Sequence, residues 1–117
     1  MLAKTLPEPI QNFVDAIRGY CADGKEGEVL WTSVAEDLKS LLANPILIRQ
    51  SKSWPDTKKG NGPPSNLLIY EDPDHGFVIN ALVKGPRSMT NVHDHGPSWT
   101  LYGVLDGGEH IQRFSRI

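Results

Sequence analysis

At 117 residues, with a formal net charge of −2 and a sequence pI near 6.0, the chain has the size of one domain. It lacks the basic excess expected of a nucleic-acid or anionic-membrane binder. A single cysteine, Cys21, leaves no internal disulfide and fits a reducing compartment.

No apolar run approaches the ~20 residues of a membrane span. The opening M-L-A-K-T-L-P-E-P has no apolar stretch of signal-peptide length, so a cytoplasmic location is expected. From Ile10 onward, Ile10, Phe13, Val14, Ile17 and Cys21 recur at helical spacing and predict a first helix. Pro7 and Pro9 suit its opening turn, and Gly24 suits its exit. A second helix is expected after Trp31, with Ser33 and Glu36 as a capping box and Val34, Leu38, Leu41 and Leu42 as its apolar stripe. Asn44-Pro45 stops it, because the residue before proline disfavours helix. Residues 46–48 read as a short strand.

The stretch 50–66, Q-S-K-S-W-P-D-T-K-K-G-N-G-P-P-S-N, is polar and rich in glycine and proline, and predicts a flexible loop or a flap. Beyond it the pattern changes. Strand-like runs at 67–70, 77–83, 99–105 and 111–114 are separated by the turn clusters E-D-P-D-H-G, K-G-P-R-S and D-G-G. Asp106-Gly107 is a strong hairpin signal. The expected division is a helical cap over 1–49, the loop over 50–66 and a β portion over 67–117, all within one domain. Helices followed by antiparallel strands point to an α+β chain, or to a barrel with a helical cap.

The chemistry-bearing residues cluster in N-V-H-D-H-G-P-S-W-T. On a strand, His93 and His95 would share a face, with Cα atoms ~6.7 Å apart and Asp94 opposite. Two imidazoles so placed can reach one ion at the usual ~2.1 Å. A pair of exposed or hydrogen-bonded histidines gives the same pattern.

The wider segment 85–107, G-P-R-S-M-T-N-V-H-D-H-G-P-S-W-T-L-Y-G-V-L-D-G, resembles the first motif of the cupin superfamily. In that motif a histidine pair is bracketed by turn glycines and followed by a carboxylate ligand. Four residues separate His95 from Thr100 and six separate Thr100 from Gly107. Thr100 stands where the carboxylate would be. V-H-D-H-G-P-S-W is similar to the cysteine dioxygenase-like branch, which lacks that carboxylate and holds ferrous iron through three histidines.

The resemblance implies a mostly β fold with N-terminal helices, a cupin-type double-stranded β-helix or jelly roll that is incomplete in this chain. It makes His93 and His95 ligands to Fe(2+), in a non-haem dioxygenase acting with O2 on a small thiol or small organic acid. Zn(2+), Ni(2+) or Mn(2+) would redirect the chemistry, and a non-catalytic binding or structural module is the alternative. A second motif carrying the third histidine is absent before Ile117, so the remaining strands would come from further chain or from a homodimer completing the barrel. His110 is a weak substitute ligand. Tyr70 and Tyr102 are catalytic candidates; Trp99 and Arg87 are candidate substrate contacts. His75 and Lys84 read as solvent-exposed. The substrate-carboxylate arginine of cysteine dioxygenases has no counterpart in L-L-I-Y-E-D-P-D-H-G.

Overall fold

The computed structural model describes residues 6–54, 65–83, 99–109 and 111–113. Its elements are α1 (Glu8–Ala22), α2 (Gly27–Leu42), α3 (Pro45–Ser51), β1 (Ser65–Glu71) and β2 (Val78–Val83). The expectation of a mostly β jelly roll is therefore corrected: among the described residues the protein is helix-rich, with a single antiparallel two-stranded sheet.

Helix α1 forms as its sequence predicts. Pro9, Ile10, Phe13, Val14 and Ile17 are its buried face, and proline occupies its first turn. The exit is a Schellman motif. Gly24 takes φ 84°, its N–H donates to the Cys21 carbonyl, and Lys25 N–H reaches back to the Tyr20 carbonyl. Helix α2 starts at Gly27, earlier than expected, so Ser33 lies inside it. Its hydroxyl donates to the Val29 carbonyl at 3.2 Å instead of capping. The start of α1 lies beside the end of α2, with a small cleft between Phe13 and Leu41.

The strand expected at 46–48 is helix α3. The Asn44 side chain accepts from the N–H groups of Ile46 and Leu47 at 2.9 and 3.2 Å, and Pro45 supplies the preset φ of a first helical residue. That cap outweighs the strand preference of Ile-Leu-Ile and turns Leu47 into the core.

Strands β1 and β2 pair with Leu67 opposite Ala81 and Glu71 opposite Val78. A bulge between Leu68 and Tyr70 breaks the alternation. Consequently Ile69 and Tyr70 both pack against the core while Leu68 faces outward. The core joins Ile10, Phe13, Val14, Ile17, Leu30, Val34 and Leu47 from the helices to Phe77 at the head of β2.

The run 99–105 and the described part, 111–113, of the run 111–114, both expected as strands, carry no ladder. Instead 99–105 lies along α2. Trp99 and Leu101 share a groove with Trp31, Gly103 abuts Leu42, and Leu105 reaches the core. The hairpin expected at Asp106-Gly107 is not formed among the described residues: 105–107 is a bend with Gly107 at φ 92°, and Asp106 pairs with Lys52 at 2.5 Å. No helix among the described residues is long and apolar enough to cross a membrane.

A Cβ added at Gly103 would stand 2.2 Å from Leu42 Cδ1. That Leu42 atom is the end of a flexible, part-exposed side chain that can turn aside, so Gly103→Ala is expected to lose about 1 kcal/mol or less. Because the clash is with one side chain, Gly103→Ala combined with Leu42→Ala should lose less than the sum of the two single variants. Urea unfolding of the four proteins measures that coupling.

Candidate functional site

The densest polar cluster lies where α1 meets the turn between β1 and β2. The turn sequence D-P-D-H-G folds locally on Asp72. Its N–H donates to the Phe77 carbonyl at 2.9 Å, and its carbonyl accepts from Gly76 N–H at 3.1 Å. Its carboxylate accepts from the N–H groups of Asp74 and His75 at 3.1 and 2.7 Å. Gly76, at φ 75°, supplies the left-handed residue that returns the chain to β2.

Asp72 is only 2% exposed, so its charge needs partners. Tyr70 donates its hydroxyl to Oδ1 at 2.7 Å, and Arg18 Nη1 makes a close ion pair with the same oxygen. Arg18 Nη2 takes Asp74 at 2.7 Å, so one guanidinium spans both carboxylates of the turn. Burial pushes the Asp72 carboxyl up, but the donors from Tyr70, His75, Arg18 and Asp74 outweigh it and hold the group well below its ordinary value. Arg18 is raised in turn, first by its bond to Asp74 and then by Asp72.

Neighbouring groups are quiet for the same reasons. Donation to Asp72 raises Tyr70, which stays a protonated phenol and is committed to the turn. Burial raises the Cys21 thiol, Asp72 raises it further, and Arg18 opposes. A thiol so placed is a poor nucleophile at neutral pH. Tyr20 donates to Asp37 at 2.5 Å, joining α1 to α2, and is raised by that bond.

Of the residues the sequence singles out, Tyr70 and His75 lie at this turn. His75 is exposed and contributes its backbone N–H. Tyr102 and Trp99 lie apart from it, both exposed; Tyr102 donates its hydroxyl to Glu109, and Trp99 stands against α2. Thr100 is exposed as well. His93, His95, His110, Lys84 and Arg87 lie outside the described residues. Among the described residues no three of His, Cys, Asp and Glu gather as a metal-binding group.

Arg18 and Asp72 were not singled out from sequence. The available signal is D-P-D-H-G itself, in which an aspartate before proline favours a side-chain-capped turn. Nothing in α1 marks Arg18 as its partner 54 residues away. The chain matches no family model, no curated protein and no solved structure.

The Asp72 carboxylate has a folded pKa below its ordinary 3.8. Its stabilising effect is therefore complete above that value and fades as pH falls through the lower, folded one. Asp72→Asn is expected to lower the melting temperature at pH 7 and to flatten its decline below about pH 4. Thermal unfolding of both proteins across acid pH provides the check.

Proposed function

We propose that this chain binds a divalent metal through His93 and His95 and serves a non-haem Fe(II) dioxygenase acting on a small thiol or small organic acid. The carrying observation is the sequence spacing of H-D-H between Gly85 and Gly107, with Thr100 where a carboxylate ligand would otherwise stand. Two neutral imidazoles are a donor pair suited to iron, zinc, nickel or manganese. The two imidazoles supply part of the donor set such an ion needs. His110 is the candidate within the chain for a further ligand.

When bound, ferrous iron supplies the redox chemistry by which O2 oxidises a small substrate. The protein's own contribution is to hold the ion with deprotonated ring nitrogens and to orient the substrate beside it. Two described pieces of the chain flank the histidines in sequence. β2 ends at Val83, tied through its turn to Arg18, and 99–105 lies on α2. Both ends of the histidine segment thus leave from anchored structure, which supports a site that needs a fixed ligand pair. Trp99 and Tyr102 follow the pair closely and are candidates for substrate contact; Arg87 precedes it as the nearby cation.

Protein purified under anaerobic conditions with ferrous iron should retain about one iron per chain. His93→Ala and His95→Ala should each remove it while leaving helical circular dichroism unchanged. Iron retained in both variants would sink the proposal. Stoichiometric zinc, nickel or manganese in place of iron would keep the ligand pair but discard the dioxygenase.

A further inference from the structure

A groove of about 280 Å³ lies between α2 and the stretch that begins at Trp99, on a face separate from the Arg18–Asp72 cluster. Its apolar lining is Trp31, Ala35, Trp99 and Leu101, and Trp99 remains 58% exposed there. Three charged residues complete it: Glu28, Glu36 and Lys39. Lys39 pairs with Glu36 at 2.9 Å, so that carboxylate is already answered. Glu28, in the first turn of α2, makes no ion pair among the described residues, so within that set the groove carries one carboxylate without a side-chain cation beside its two indoles.

Indole faces carry a negative quadrupole and attract cations, most strongly where the cation is weakly hydrated. An apolar cation gains from both walls and from Glu28. A neutral ligand of the same shape gains only from burial, and an anion is repelled. The volume lies just below the usual range for small-molecule sites, and so suits a compact headgroup better than a drug-sized ligand.

We propose that this groove binds a small alkylated ammonium ion, with Trp31 and Trp99 as walls and Glu28 as counter-charge. The proposal shares Trp99 with the candidate substrate contacts named above but does not depend on the histidine pair. Choline and its neutral isostere 3,3-dimethylbutan-1-ol differ in little but charge, and serve as probes. Each is titrated into the full chain while the indole N–H signals of the three tryptophans are followed by NMR. Choline should shift the Trp31 and Trp99 signals saturably, leave Trp54 unmoved, and bind at least about fivefold more tightly than the alcohol. Trp99→Ala should weaken both probes. Glu28→Gln, which leaves the walls intact, should weaken choline alone by about threefold or more. A smaller ratio between the probes, no saturable response to choline, or choline binding unchanged in Glu28→Gln would overturn the proposal.

Discussion

The buried carboxylate of Asp72 is the constraint on which the arrangement of this protein turns. Removing a carboxylate from water is costly unless its oxygens are met by donors, and here four groups meet them: two backbone N–H groups of its own turn, the Tyr70 hydroxyl and the Arg18 guanidinium. The first pair shapes the turn. Tyr70 fixes the end of β1, with its ring 5.7 Å from that of Phe77 across the turn. Arg18 links the turn to α1. A two-stranded hairpin is marginal alone; this one is attached by charge at its turn and by Phe77, Ile69 and Ile79 against the helices. The two sides of the pair are unequal: losing Arg18 leaves the buried Asp72 charge short of a donor, whereas losing Asp72 leaves Arg18 part-exposed and still paired with Asp74.

Much of the helical half was legible because its signals are local. The apolar spacing of α1, its glycine exit and the proline boundary after α2 are each set by residues within a few positions. The hairpin was legible too, since both apolar runs flank a turn rich in aspartate, proline and glycine. Where local signals compete, the pattern of residues does not decide the element. Ile-Leu-Ile after Pro45 has strand character, but the Asn44 cap decides for helix. Ser33 and Glu36 have the spacing of a capping box, yet apolar contacts of Leu30 carry α2 back to Gly27.

The larger error concerned the last third. Apolar alternation in 99–105 signals surface that needs covering, and a strand partner is one way to cover it. Here the stretch lies on α2 and is only partly covered: Trp99 and Leu101 line a groove with Trp31 and Gly103 abuts Leu42, while Trp99, Leu101, Tyr102 and Val104 stay exposed. The jelly-roll expectation rested on the histidine motif and on counting such runs as strands, and neither observation specifies what lies opposite. The motif itself is a separate matter, because H-D-H is a statement about donor atoms and does not depend on a barrel. Its neighbours in sequence are tied to different helices, the β1–β2 turn to α1 through Arg18 and the stretch from Trp99 to α2.

The central claim is that one ion pair between α1 and the turn holds the hairpin in place. Native-state hydrogen exchange in Arg18→Met tests it most directly, because it reads the hairpin and the helices separately in one sample. Loss of protection at Leu67, Ile79 and Ala81, with the amides of Val14, Ile17 and Val34 still protected, is the predicted result. Unchanged protection in the hairpin, or an equal loss in hairpin and helices, would contradict it.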